Sequence, residues 1–116
     1  MSDDSIEQKR KYFRLRYPKR AQPVFRLKDR RYSVAEVSEK GLRVVVENSS
    51  VLYRGMSMKG VLLLHGGKLI EIEGAILRFD GNEVIIKLKQ GPSFKHMLAE
   101  QMRLRRKYPL LFNKRP

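Results

Sequence analysis

Cysteine is absent from the 116 residues, and the twelve acids are far outnumbered by twenty-six lysines and arginines. Without cysteine there are no disulfides, thiolate metal ligands or cysteine nucleophiles, which accords with a cytoplasmic protein. Long apolar runs are missing too. The longest, Val61 to Leu64, falls far short of the roughly 20 residues a membrane-spanning helix needs. The opening Met-Ser-Asp-Asp-Ser is acidic where a secretory signal is basic and then apolar, so the expected location is the cytoplasm, with no membrane span. Histidine is nearly absent. His65 and His96 stand apart, read as surface residues, and no set of histidines and carboxylates matches a metal-site pattern, so neither a metal nor a cofactor is expected. Glu71 and Glu73 share one strand face, the spacing of solvent-facing acids, and an enzyme is the least expected class.

What is present is positive charge, unevenly placed. The net charge is +14. Residues 1–20 hold seven cations against three acids, and residues 95–116 seven against one, while residues 32–94 are almost balanced at eight against seven. Charge of this sign raises encounter rates with anionic partners of any kind. Its densest run is Lys9 to Arg20, where seven cations and three aromatics share twelve residues with no acid among them. Arg10 and Arg14 stand four apart, and each guanidinium can bond two acceptors in parallel, as phosphate oxygens or the O6/N7 edge of guanine require. Tyr12, Phe13 and Tyr17 can stack on a base or pin the segment to a core. A solvated basic arm is the plainer reading of the same residues.

Residues 1–8 have no periodicity and read as a flexible N-terminus, and Tyr17-Pro18 ends any helical tendency of the basic segment. Strands are predicted from there on. Val24–Leu27 and Arg31–Val37 form a hairpin, with Tyr32, Val34 and Glu36 sharing one face of the second strand. A turn follows in which Gly41 is expected to take a positive φ, leaving Glu36 and Ser38 exposed at the strand ends. Leu42–Glu47 is a β-branched strand, Asn48–Ser57 a loop, Met58–Leu64 a strand, and Lys68–Phe79 a long strand after His65-Gly66-Gly67. In that long strand Ile70 and Ile72 face inward. A bulge at Gly74-Ala75 is expected to bring Leu77 and Phe79 inward as well. Asp80-Gly81-Asn82 turns the chain into the last strand, with Val84, Ile86 and Leu88 inward.

Ser93 can cap a helix starting at Phe94, in which Phe94, Met97, Leu98 and Met102 form an apolar stripe expected to dock on the sheet. Arg103, Arg105, Arg106 and Lys107 lie late in the helix, where cations suit its negative end, and Pro109 terminates it. Six strands with short connections, followed by one helix, predict a mostly β fold: a six-stranded antiparallel β-barrel with a C-terminal α-helix. The expected organisation is a flexible 1–8, a barrel domain with its helix over 9–108, and a basic tail over 109–116.

Arg10-x-x-x-Arg14, then a strand hairpin, then Glu36-x-Ser38-x-x-Gly41 before a valine-rich strand resembles the PilZ domain family of bacterial cyclic di-GMP receptors. Each motif is unspecific alone; their order and separation, with a barrel and helix behind them, carry the resemblance over about residues 8 to 107. It implies a non-catalytic sensor whose ligand is cyclic di-GMP. By that analogy Arg10 and Arg14 grip phosphate and guanine, Ser38 donates to phosphate or base, and Gly41 holds the bend. Lys9, Lys11, Tyr12 and Arg16 are supporting candidates. The N-terminal arginine segment would wrap over the barrel on binding and signal to an unidentified motility, adhesion or biofilm partner. Glu36 departs from the family's Asp or Asn. It keeps an acceptor for the guanine N1–H and N2–H₂ edge but adds a methylene. Two alternatives stand beside this reading: a PilZ-like adaptor that binds protein and no ligand, and a small basic RNA- or DNA-binding barrel. The near-neutral middle of the chain weighs against nucleic acid.

Overall fold

A computed structural model of the chain describes residues 14–47 and 51–112. Seven strands run β1 (Arg14–Arg16), β2 (Val24–Leu27), β3 (Arg30–Ser38), β4 (Gly41–Val45), β5 (Ser57–Leu63), β6 (Leu69–Asp80) and β7 (Glu83–Gln90). Helix α1 (Phe94–Lys107) and a short helical turn, α2 (Pro109–Phe112), follow. Every pairing is antiparallel. Strands β3, β2, β5, β6, β7 and β4 pair in that order, and β4 returns to β3, closing a six-stranded barrel as expected. Closure leaves no open edge in the ring, and the inward residues of all six strands fill it: Phe25, Val34, Val37, Leu42, Val44, Met58, Leu62, Ile72 and Ile86 are among the most deeply buried side chains.

The seventh strand lies in the basic segment, where no strand was predicted. β3 is long enough to serve two neighbours on one edge. Its first half pairs with β2 (Val24 opposite Ser33) and its last three residues pair with β1 (Arg14 opposite Ser38). β1 and β2 therefore act as one interrupted strand along that edge, separated by Pro18 and a 3-10 turn over Lys19–Ala21. The backbone N–H of Tyr17 still donates to the Ala35 carbonyl at 3.0 Å, and that of Val34 to the Pro23 carbonyl at 2.8 Å, so the edge stays bonded across the interruption.

Two irregularities reassign faces. In β3 the register with β4 shifts between Val34 and Glu36. The extra residue reverses the alternation: Val34 and Val37 are both buried, and Glu36 turns away from the face it was expected to share with Val34 and Tyr32. In β6 the register shifts at Glu73/Gly74, as anticipated near Gly74, and again between Ile76 and Arg78. Ile76 keeps the inward position, while Leu77 and Phe79, expected inward, are exposed. Gly74 sits where a Cβ would collide with the Lys87 carbonyl, so the bend in β6 needs a residue without a side chain.

α1 begins with a capping box: the Ser93 hydroxyl accepts from the His96 N–H at 3.2 Å, and His96 Nδ1 accepts from the Ser93 N–H. Its buried face matches the expected stripe only at Met97. Met97, Glu100 and Leu104 are buried, at spacings of three and four, and Met97 and Leu104 join the barrel core, whereas Phe94, Leu98 and Met102 are exposed. Among the described residues no helix is long and apolar enough to cross a membrane.

Candidate functional site

The register of β1 against β3 decides where the two sequence motifs go. Arg14 stands opposite Ser38, Leu15 opposite Val37, and Arg16 opposite Glu36. Leu15 and Val37 point into the core, so Arg14 and Arg16 necessarily point out, beside a Glu36 that the β3 bulge has also turned out. Arg14 of the first motif and Glu36, Ser38 and Gly41 of the second therefore share one patch at the outer end of β1, β3 and β4. Arg10, with Lys9, Lys11 and Tyr12, lies outside the described residues.

Two expectations for the bend are corrected. Ser38 is only 8% exposed, and its hydroxyl donates to the Gly41 carbonyl at 3.3 Å. Gly41 does not take a positive φ. A Cβ at this position would lie 3.4 Å from the Ser38 hydroxyl, an ordinary van der Waals contact, so neither φ nor space demands glycine here. The pair forms a closed, self-bonded corner beneath Arg14.

Glu36 lies between two arginines, 3.9 Å from Arg14 Nε and 3.8 Å from Arg16 Nη1. Neither contact has hydrogen-bond length. Arg16 is committed elsewhere: its two terminal nitrogens donate to Glu83 at 2.8 and 3.4 Å. Glu83 also accepts from Arg43 at 3.0 Å, and the same Arg43 nitrogen donates to Asp80 at 3.0 Å. The hydrogen bond from Arg16, reinforced by that from Arg43 and opposed by partial desolvation, holds the Glu83 carboxyl below its ordinary range. Arg16 and Arg43 are raised in turn, chiefly by their bonds to Glu83 and to Asp80 respectively. Among the described residues, Arg14 has only the 3.9 Å ion pair to Glu36, so its half-exposed guanidinium keeps donors for an incoming acceptor.

Arg43, Asp80 and Glu83 were not singled out from sequence. Arg43 is the one charged residue in a run of Leu and Val, which marks an outward position, and it stands opposite Glu36 across β3–β4.

The site is tied to the far end of the chain by a buried polar contact. One residue past Arg16, Tyr17 turns inward and its hydroxyl donates to Glu100 on α1 at 2.9 Å, with both residues buried. Burial first, then the negative charge of Glu100 and the hydrogen bond to it, push the Tyr17 phenol far above its usual range, so it remains a donor. His65, expected at the surface, belongs to the same cluster. Its ring lies 6.0 Å from that of Tyr17, its backbone N–H reaches Glu100 at 3.5 Å, and its Nε2 sits 2.6 Å from the Ala21 carbonyl. A carbonyl can only accept, so Nε2 carries the proton. Arg20 lies over the Tyr108 ring at 5.2 Å, a second link between the N-terminal segment and the C-terminal helices.

A hollow of about 310 Å³ between His65, Gly66, Arg103, Leu104, Lys107 and Tyr108 contains none of the motif residues. It adjoins the C-terminal end of α1, where Lys107 and its neighbours offset the helix dipole.

Known proteins share this architecture. The Bacillus subtilis inhibitor of motility, MotI/DgrA, superposes with a TM-score of 0.64 at 19% identity over 91% of this chain. The chain spans about half of that protein, 53% of its length. A Legionella protein described as uncharacterized, Lpg0364, superposes with a TM-score of 0.55 at 17% identity, covering 87% of this chain and 99% of the other. At such identities the likeness is one of fold. No curated protein sequence matches significantly. The sequence profile of the PilZ domain, in contrast, matches residues 8–108, nearly the whole chain, and the protein belongs to the PilZ domain family.

Proposed function

We propose that this protein is a non-catalytic cyclic di-GMP receptor in which Arg14 and the Glu36-Ser38-Gly41 bend hold the ligand and Arg10 completes the clamp. The supporting observation is the register that sets Arg14 opposite Ser38, with Glu36 on the same patch. The ligand carries two phosphates and two guanines. A bidentate phosphate or guanine contact gives Arg14 two charge-assisted bonds, at about 1.5–3 kcal/mol each. The 3.9 Å pair with Glu36 that these would replace is an exposed ion pair, and such pairs contribute about 0–1 kcal/mol. Exchange of partners at Arg14 therefore favours the ligand, and the released Glu36 carboxylate becomes an acceptor for the guanine N–H edge. Lys9, Lys11, Tyr12 and Arg16 support the clamp.

The signal leaves through Tyr17. A ligand that draws the arginine segment against the barrel moves β1, which Tyr17 directly follows, and the Tyr17 bond to Glu100 hands the displacement to α1. The receiver is a motility, adhesion or biofilm protein. The MotI/DgrA likeness, to a protein described as an inhibitor of motility, supports the first of these. A second reading, an adaptor that no longer binds ligand, draws on Glu36, whose longer side chain reaches both Arg14 and Arg16 and can screen them.

Calorimetry with purified protein separates the two. The receptor reading expects binding at or near micromolar Kd, about 8 kcal/mol, and at least a ~100-fold loss in Arg14→Ala with the fold unchanged by circular dichroism. A folded wild type that gives no heat at high micromolar ligand overturns it and leaves the adaptor.

A further inference from the structure

The face of α1 that turns away from the barrel presents an apolar ridge. Phe94, Leu98 and Met102 are 53%, 41% and 58% exposed, although the helix is fixed firmly by Met97, Glu100 and Leu104 on its other side. Their spacing of four residues makes them one ridge of the helix surface, and the parallel row beside it holds the small, exposed Ala99, which leaves a shallow groove. A ridge next to a groove is the surface a second helix packs against. The charge around it is of one sign. Lys95, Arg105 and Arg106 are exposed along or beside the ridge, and the only acid of the helix, Glu100, is buried under it.

We propose that the Phe94-Leu98-Met102 ridge of α1 is the docking site for an acidic amphipathic helix of a partner protein. Charge complementarity selects this occupant. A second copy of the chain would bring Lys95 and Arg106 against their own equivalents. A bilayer is a poorer fit, because the positions pointing most directly outward, opposite Met97, Glu100 and Leu104, include Lys95 and Arg106 as well as Met102, and the apolar ridge lies to one side of them. An acidic helix lying alongside α1 meets the ridge with its apolar stripe and the two cations with its acidic flank. This surface shares no residue with the patch of Arg14 and the Ser38 bend, and the inference does not depend on ligand binding there.

The test uses the full chain and a fluorescent synthetic helix with Leu at i, i+3, i+4 and i+7 and Glu elsewhere, with a Lys-for-Glu peptide as control. The acidic peptide is expected to bind, and the basic one not. Leu98→Ser and Met102→Ser are each expected to weaken binding about tenfold or more, since burial of either side chain is lost. Lys95→Glu with Arg106→Glu should abolish binding. Both serine substitutions are at exposed positions, and circular dichroism with an unchanged thermal midpoint will show that the fold is intact. Equal binding by wild type and Leu98→Ser would reduce the effect to bulk charge and overturn the proposal. So would sedimentation of the wild type with phosphatidylglycerol vesicles in place of peptide binding, or a self-association that Leu98→Ser abolishes.

Discussion

Replacing Tyr17 by Phe removes one oxygen atom and strands a charge. The hydroxyl donates to Glu100 at 2.9 Å, and the other donor to that carboxylate among the described residues, the His65 backbone N–H at 3.5 Å, is at the limit of a hydrogen bond. A hydrogen bond to a charged group contributes about 1.5–3 kcal/mol, and taking one partner from a buried charge costs more than the mean because no water replaces it. Glu100 is 2% exposed, so Tyr17→Phe should cost about 2–3 kcal/mol. For a domain of this size that is a fall in Tm of roughly 10 °C. Glu100→Gln should cost less, because the amide oxygen still accepts from the phenol. Glu100→Met leaves the phenol unpaired, at about 1–3 kcal/mol. The double variant Tyr17→Phe with Glu100→Met has neither orphan, and should recover at least about 1 kcal/mol of the summed single losses. Urea unfolding of all four proteins gives the cycle. Single losses that add to within about 0.5 kcal/mol would mean the two groups do not interact, and the link from β1 to α1 would have to be abandoned.

Three further outcomes are expected. Glu36→Asp withdraws the carboxylate from Arg14 by one methylene and should tighten cyclic di-GMP binding several-fold in calorimetry; unchanged or weaker binding would show that Glu36 does not compete for that guanidinium. The Glu83 carboxyl is held low mainly by Arg16, so its contribution to stability is complete above the ordinary carboxylate pKa of about 4.3 and is lost as pH falls below that through the folded-state value. The difference in urea midpoint between wild type and Glu83→Gln should therefore shrink between about pH 6 and pH 3, and a constant difference would argue against the ion-pair origin. Lys28 turns the β2–β3 hairpin at φ 58°, a left-handed conformation that costs a residue with a Cβ about 1–2 kcal/mol. Against the extra chain entropy of glycine, about 0.5–1 kcal/mol, Lys28→Gly should raise the thermal midpoint by a few degrees, and a lower midpoint would contradict this account of the turn.

The barrel was legible because its six strands carry their own signals: β-branched alternation in Leu42–Val46 and Val84–Leu88, and turn residues at Lys28-Asp29 and Gly81-Asn82. β1 carries no such signal. Three residues dominated by arginine have no strand preference of their own, and what makes them extended is the free edge of β3, which exists only once the barrel is formed. The bulge after Val34 was equally silent, because Ala35 fits either face and Tyr32 to Ser38 alternates plausibly without it. Yet that one residue turns Glu36 outward to Arg14. On α1 hydrophobicity pointed to the wrong side: Phe94, Leu98 and Met102 are more apolar than Glu100, and it is Glu100 that docks. The clue available was a lone acid in a basic helix, three residues after Met97 and four before Leu104. A buried polar contact made with a distant tyrosine cannot be read from the helix alone.

The strongly basic balance of the chain invites the idea that the proposed ligand patch is a pool of uncompensated positive charge, and the ion pairs argue otherwise. Across β1, β3, β4 and β7, Arg14, Arg16 and Arg43 alternate with Glu36, Glu83 and Asp80, so the described part of the patch is close to neutral. The excess lies outside these six side chains, most of it in residues 17–31 and 95–116. Attraction over a Debye length of about 8–10 Å is thus a property of the ends of the chain, and selection is a property of the patch. Within the patch the arginines differ in how tightly they are engaged. Arg16 and Arg43 are locked by bonds of 2.8 to 3.0 Å, whereas Arg14 is held at 3.9 Å. In the proposed mode of binding, a ligand that offers Arg14 a better acceptor than Glu36 does exchanges with it, and the resulting pull on β1 reaches α1 through Tyr17.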